Sequence, residues 1–430
     1  MRVLVIGSGA REHAIVARLA AEREAEAVIS APGNPGIARI SQTVDVNVSD
    51  IDALLALAVR EAIDLTVVGP ELPLSLGIAD RFASAGRLLF GPTADAARLE
   101  TSKAFAKAFM ERHRVPTARF RTCDSVDDAL GVVRSGTFGL PVVLKADGLA
   151  AGKGVVVADT RDAAEAAVIA AMRERRFGDA GNRLIVEECL TGPEVSFFAV
   201  SDGTNVVPIG TAQDHKRIFD DDRGPNTGGM GAFAPSPLVD DRLAECVMRE
   251  IVAPVVRGMA DEGHPFRGFL YAGLMLTLDG PKVIEFNVRL GDPEAQVVLP
   301  LVDEPLLPIL TAAARGSLAR PSVRLGGDRL VGVVIASRGY PESSQSGQPI
   351  HDLERAEAIA GVSVYHAGTA LRDGQLVTAG GRVLTVVGRA HDYAGAIARA
   401  YAGVMPIHFE GMQYRRDIGR KALASLKSEV

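Results

Sequence analysis

Apolar and polar positions alternate in two rhythms along the first hundred residues. Residues 3–6, 27–30, 65–68 and 88–91 are short, nearly continuous apolar runs, the pattern of strands covered on both faces. Between them, residues 12–21, 52–61 and 78–85 repeat apolar positions at helical spacing. Strands spaced by helices predict a parallel, doubly wound α/β sheet. Ligands of such sheets sit beyond the carboxyl ends of the strands. Here those ends carry Gly7-Ser8-Gly9, Pro32-Gly33-Asn34-Pro35-Gly36 and Gly69-Pro70-Glu71.

The rhythm then changes. Residues 94–113 read as helical, with Thr101-Ser102-Lys103 near the start of a helix. Short strands are predicted at 119–123, 142–145, 154–157 and 182–187, with helices at 126–133 and 163–175. Residues 194–201 alternate around Val195, Phe197 and Ala199, and Asp202-Gly203 is a hairpin turn. A second hairpin over 268–278 turns at Asp279-Gly280 into a strand at 282–288. Beyond 326 come strands 331–336 and 382–387 and a helix at 394–401. Four units follow: a parallel-sheet domain at 1–102, two lobes at 103–188 and 189–325, and a small α+β domain at 326–430.

The strand at 282–288 carries the most chemistry. Val283, Ile284, Phe286 and Val288 are apolar, while Glu285, Asn287 and Arg289 recur at period two. Side chains alternate along a strand, so these three share a face, spaced by roughly 7 Å. The spacing alone fits a solvated face as well as a metal-binding edge. The continuation Leu290-Gly291-Asp292-Pro293-Glu294-Ala295-Gln296 favours the edge, because it adds two carboxylates where the strand ends. Mg²⁺ takes hard oxygen ligands, commonly one or two carboxylates plus phosphate oxygens. A guanidinium alongside is suited to an anion.

Other motifs point to phosphate. Gly7-Ser8-Gly9-Ala10-Arg11-Glu12 lacks the third glycine of a dinucleotide fingerprint, and the next strand ends in Ser30-Ala31 with no acid for a ribose. A glycine turn presenting N–H groups to an anion is the simpler reading, a bland turn being equally compatible with the spacing. Lys145 to Gly154 is glycine-rich and basic but is no P-loop: Gly154 stands where Ser or Thr is required. Flanked by strands, it reads as a flap able to fold over a triphosphate. Glu187-Glu188-Cys189-Leu190 joins two lobes, where backbone groups can clamp a purine ring; surface acids fit the same residues. The segment from Gln213 to Gly231 reads as a long loop rich in charge and glycine, and such loops are functional or disordered. His215 within it is expected to be a hydrogen-bonded loop histidine rather than a proton carrier.

Composition narrows the class. The chain has 430 residues, 47% hydrophobic and 23% charged, with a formal net charge of −6, which argues against a general nucleic-acid or anionic-membrane binder. Cys123, Cys189 and Cys246 are widely spaced without a ligand pattern, so reduced thiols in a cytoplasmic protein are expected. No run reaches membrane-spanning length, and the amino-terminal apolar run is too short for a signal-peptide core.

Together these motifs resemble the phosphoribosylamine–glycine ligase family of the ATP-grasp superfamily. The resemblance runs from residues 3–14 to Gly380-Gly381-Arg382-Val383-Leu384, and residues 289–296 look like the family signature. It implies a two-lobed ATP-grasp core with antiparallel sheets, behind a parallel-sheet domain. It implies ATP and Mg²⁺ or Mn²⁺, and joins glycine to 5-phosphoribosylamine through glycyl phosphate. By the same resemblance Lys103, Lys145, Gly152, Lys153 and Gly154 hold phosphates, Glu187 and Leu190 meet adenine, and Glu194 meets ribose. Glu285 and Asn287 hold the metal. Asp214 and Arg289 bind glycine and act with Lys216 in catalysis, beside Gly291. Gly9, Asn34 and Gly36 receive phosphoribosylamine. Small-molecule substrates, no nucleic acid or membrane partner, and a monomer or weak homodimer are expected. The rivals are another ATP-grasp ligase or carboxylase, a non-catalytic nucleotide sensor, and a nicotinamide oxidoreductase.

Overall fold

A computed structural model describes residues 1–148 and 154–427. The first sheet is built from β1 (Arg2–Gly7), β2 (Ala27–Pro32), β3 (Gln42–Thr43), β4 (Leu65–Val68) and β5 (Leu89–Phe90), in the order 3-2-1-4-5. All its pairings are parallel. Helices cover it on both sides, so alternate residues of β1 enter different cores. Val3 and Val5 pack with helix α1 (Ala10–Ala20), whereas Leu4 and Ile6 pack with Leu54, Phe82 and Phe109.

A four-stranded antiparallel sheet forms the small lobe: β6 (Phe120–Cys123), β7 (Val142–Ala146), β8 (Val155–Ala158) and β9 (Leu184–Glu188), ordered 6-9-7-8. The helix expected at 163–175 begins at Arg161 and passes after Val168 into a π-turn at Ile169–Arg173. There the Ala171 carbonyl presses so close to Gly181 that no Cβ would fit.

The third sheet is antiparallel throughout and has eight strands. They are β10 (Glu194–Asp202), β11 (Val206–Asp214), β14 (Gly231–Ala234), β15 (Arg267–Thr277), β16 (Gly280–Asn287), β17 (Arg329–Ala336), β18 (Val362–His366) and β21 (Arg382–Ala390). The order is 16-15-10-11-14-17-21-18. Hydrogen bonding is therefore continuous across position 326, through the pairing of β14 with β17. Two hairpins stand apart from it: β12 (Arg217–Phe219) with β13 (Arg223–Asn226), and β19 (Thr369–Arg372) with β20 (Gln375–Thr378). The first corrects the structureless loop expected at 213–231. A glycine-rich, acidic sequence hides its strand pairing because the pairing partners are held by groups far away in the chain.

The amino-terminal sheet is closed by a carboxylate of its own. Glu12, 2% exposed, accepts from the Gly9 N–H at 2.6 Å and from Arg11 Nε at 2.5 Å. Gly7 and Gly69, at the ends of β1 and β4, leave room for it, and a Cβ on either would collide with the Glu12 side chain. Among the described residues no helix is long and apolar enough to cross a membrane, and all three cysteines are unpaired. Because Glu12 is tied at both oxygens, Gly69→Ala should lower stability by about 1–3 kcal/mol, as overpacked sites do, read as a fall in the thermal unfolding midpoint.

Candidate active site

The cleft lies where β16, the small lobe and the end of β11 meet. A bulge sets Gly273 opposite Glu285 and Leu274 opposite Val283, leaving Ile284 extra. The freed Ile284 carbonyl accepts from Lys145 Nζ at 3.1 Å. β16 ends at Asn287, so Arg289 lies beyond the strand, yet Arg289 Nη2 still donates to Asn287 Oδ1 at 3.2 Å. The polar edge expected from the sequence is thus present, part strand and part turn.

The Glu285 side chain has no hydrogen bond or ion pair to any described residue, while its backbone pairs with Gly273. Burial opposes its charge, but Lys216, Lys145, Lys103 and Arg289 together hold its carboxyl below the ordinary value. A carboxylate surrounded by cations and touched by none, beside an amide oxygen, fits a divalent cation completed by phosphate oxygens and water. Among the described residues no group of three or more acidic, His or Cys side chains could hold a metal.

Arg289 is anchored from the amino-terminal domain. Its Nε donates to Glu71 at 3.1 Å, Nη2 to Glu100 at 2.8 Å and to Asn287, and Nη1 to the Leu290 carbonyl at 3.1 Å. A guanidinium has five N–H donors, so one remains for a ligand. Burial lifts the Glu100 carboxyl above its ordinary value despite Arg289, whereas Glu71 is brought below by Arg289 and Arg11 against its own burial. Glu100 also accepts from the Val288 N–H at 2.8 Å. Glu71 stands at a strand end named from the sequence; Glu100 has no such signal.

The lysines are held as a set. Ser102 caps the helix Lys103–Arg112, accepting from the Phe105 N–H, and its hydroxyl donates to Asp147 at 3.1 Å. Lys103 Nζ donates to the Gly148 carbonyl at 2.8 Å, at the base of the flap. Gly154 accepts from the Ala146 N–H at 2.8 Å and closes the β7–β8 hairpin. Gly152 and Lys153 lie outside the described residues. Glu187, 4% exposed, meets Lys145 Nζ and Lys107 Nζ at 2.5 Å each. Burial brings Lys107 down to about 8 against Glu187. Lys107 was missed, although it follows Lys103 by four residues on one helix face.

At the end of β11, Lys216 Nζ meets Glu194 at 2.5 Å. Burial pushes the Asp214 carboxyl up to about 7, opposed by Lys216 and reinforced by Glu294, Glu194 and Glu285. Burial works against the Lys216 ammonium, but Asp214 and Glu194 hold it well above its ordinary value. Glu294, 3% exposed, accepts from Ser196 Oγ at 3.3 Å and lies against Gly291, where a Cβ would be 2.5 Å from its carboxyl carbon. Leu190 is half-buried, at the hinge after β9. His215 does not meet the expectation of a hydrogen-bonded imidazole. Neither ring nitrogen has a partner among the described residues, the ring packs on Phe233 at 5.8 Å, and burial lowers its pKa to about 3.

Gly9, Asn34 and Gly36 lie beyond the ends of β1 and β2, the latter two beside His366 of β18. Asn34 Nδ2 donates to the Ser8 and His366 carbonyls, at 2.8 Å each, and Oδ1 accepts from the Ile37 N–H. Gly36 sits against His13 and His366, and a Cβ at Gly9 would lie 3.7 Å from Asp292 Oδ2. Asp292 in turn pairs with Arg382 at 3.1 Å.

A parallel-sheet domain and a two-lobed antiparallel core are the ATP-grasp arrangement. The biotin carboxylase domain of a Hydrogenobacter thermophilus 2-oxoglutarate carboxylase shares that fold, with a TM-score of 0.73 at 19% identity over 96% of this chain and 91% of that one. The chain belongs to the phosphoribosylglycinamide synthetase family: its N domain matches residues 1–100, its ATP-grasp (A) domain 101–295 and its C domain 330–421. A phosphoribosylamine–glycine ligase of Xylella fastidiosa is 51% identical over 427 residues, 98% of either chain. The crystal structure of a phosphoribosylamine–glycine ligase from Thermotoga maritima matches with a TM-score of 0.84 and 33% identity, over 97% of this chain and 100% of that one.

Removing one member of a buried ion pair strands the other charge. Glu187→Gln should therefore cost about 3–5 kcal/mol of stability, read as a lowered midpoint of chemical unfolding. The double change Glu187→Met with Lys107→Met should lose less than the single change.

Proposed function

We propose that this chain joins glycine to 5-phosphoribosylamine while ATP is converted to ADP and phosphate, giving N1-(5-phosphoribosyl)glycinamide, an early step of de novo purine synthesis. One observation carries the reading: Glu285, whose side chain has no partner among the described residues, lies among lysines from the flap side and the Asp214–Lys216 base. The signature turn 289–296 borders the same cleft. Family membership over nearly the whole chain supports it.

A carboxylate is a poor electrophile and needs activation. One carboxylate oxygen of glycine attacks the γ-phosphorus of ATP, the bond from that phosphorus to ADP breaks, and glycyl phosphate forms. The sugar amine then attacks the acyl carbon, the carbon–oxygen bond to phosphate breaks, and the nitrogen gives up a proton. Such transfers depend on positioning and charge neutralisation more than on covalent help from the protein. No Ser, Cys or His nucleophile is needed.

In this reading Lys103, Lys145 and the flap residues Gly152, Lys153 and Gly154 receive the phosphates. Glu187, which also holds Lys145 and Lys107, and the backbone at Leu190 meet the adenine, and Glu194 faces the ribose. Glu285 and Asn287 would hold Mg²⁺ or Mn²⁺, which supplies neutralisation of phosphate charge. Asp214 receives the ammonium of glycine, the spare N–H of Arg289 its carboxylate, and Lys216 the charge that develops in transfer. Gly291 leaves the turn close enough for these contacts. Gly9, Asn34 and Gly36 receive phosphoribosylamine. Bringing three substrates together can supply about 7–11 kcal/mol, and a closed flap keeps water from the acyl phosphate. The protein works on small molecules in the cytoplasm, as a monomer or weak homodimer.

Phosphate release should require glycine and phosphoribosylamine together; release driven by bicarbonate or formate would refute the assignment. Glu285→Ala should abolish turnover and raise the Mg²⁺ concentration needed for ATP binding, measured by calorimetry. If ionised Asp214 holds the glycine ammonium, kcat/KM for glycine should rise as pH climbs through about 7. Asp214→Asn should lower that ratio and flatten its dependence on pH.

A further inference from the structure

The hairpin that continues from Asp214 and Lys216 has a tip the chain would not adopt unaided. Asp221 and Asp222 have φ of 57° and 51°, two consecutive left-handed residues that are not glycine. Such conformations persist where their surroundings over-determine them. Within the hairpin Arg223 reaches Asp221 at 3.7 Å and the Asp220 carbonyl at 3.4 Å; the shorter contacts come from the carboxyl-terminal segment. Asp222 accepts from Arg415 Nη1 at 2.8 Å and pairs with Lys421 Nζ at 2.6 Å. The Asp221 N–H donates to Asp417 at 3.0 Å, and the Arg416 N–H donates to Asp220 at 2.7 Å.

Arg415 is the centre of this clasp. It is 1% exposed, forked onto both oxygens of Asp417 at 2.8 and 2.6 Å, and its Nη1 also reaches the Arg217 carbonyl at 3.0 Å. From Arg217 an unbroken ladder leads into the cleft. Arg217 pairs with Asn226, Thr227 donates through N–H and hydroxyl to the Lys216 carbonyl at 2.7 and 2.8 Å, and the Met230 N–H donates to the His215 carbonyl at 2.8 Å. Asp214 pairs with Ala232. The far end of the loop is tied by Arg382 Nη1 to the carbonyls of Gly228 and Asp292, at 2.6 Å each, and by the Tyr340 hydroxyl accepting from the Gly228 N–H at 2.8 Å.

We propose that Arg415 is a positioning residue for the ligation: from outside the cleft it fixes the 217–226 hairpin and thereby the placement of Lys216 against Glu194 and Asp214. This rests on the glycine-ligase reading. Lys103, Lys145 and Glu285 stand on other elements, so the effect should fall on use of glycine more than on use of ATP. A purely structural role would reduce stability or the active fraction and leave KM for glycine alone.

The test uses the full chain with Arg415→Ala, Arg415→Lys and Asp222→Asn, and with Arg320→Ala as a control that breaks an ion pair to Glu304 away from the cleft. Arg415→Ala and Asp222→Asn should raise KM for glycine at least about tenfold, since small misplacements cost up to a hundredfold. KM for ATP should change less than threefold. Arg415→Lys should recover part of the loss, and Arg320→Ala should match the parent. Should Arg415→Ala fail to fold, Asp222→Asn carries the test, because it leaves the Arg415–Asp417 pair intact. An unchanged KM for glycine in a folded variant, or an equal shift in Arg320→Ala, overturns the proposal. Absence of glycine-dependent phosphate release in the parent chain would instead overturn the functional reading and the proposal with it.

Discussion

The cleft is organised around one carboxylate that the protein surrounds with positive charge and that has no direct partner among the described residues. Burying Glu285 ionised would be prohibitive alone; Lys216, Lys145, Lys103 and Arg289 make it tolerable. Those cations would repel one another unless each were tethered. Lys145 is tied to Glu187 and the Ile284 carbonyl, Lys103 to the Gly148 carbonyl, Lys216 to Glu194, and Arg289 to Glu71 and Glu100. The result is a frame of alternating charge around Glu285.

Different domains contribute to that frame. Arg289 follows β16, but its anchors Glu71 and Glu100 come from the amino-terminal region, so the parallel-sheet domain helps set the polar edge. The carboxyl-terminal strands extend the sheet that carries β16 and also hold the 213–231 loop at two places. Chemistry drawn from four stretches of sequence is thereby kept in one geometry, which is what a reaction relying on positioning requires.

Much of this was legible in the sequence, for local reasons. Short apolar runs marked β1, β2 and β4, and period two marked Glu285 and Asn287, because burial on a strand forces those patterns. Lys107 could have been found from its spacing to Lys103. Glu100 could not: it meets Arg289 from 189 positions away, and its helix carries no sign of that partner. The β12–β13 hairpin was read as loop for a related reason, since its left-handed tip is held in large part by Arg415 and Asp417, far away in the chain. The π-turn at Ile169–Arg173 likewise reflects packing beside Gly181, not propensity.

The unbroken pairing from β16 to β18 has a mechanical corollary. Eight laterally bonded strands move as one plate, so the signature turn and the carboxyl-terminal module cannot swing relative to each other without severing backbone bonds. The four-stranded lobe shares no strand with that plate. Any tilt of that lobe against the plate would have to be absorbed at both of its chain connections, residues 113–119 and 189–193.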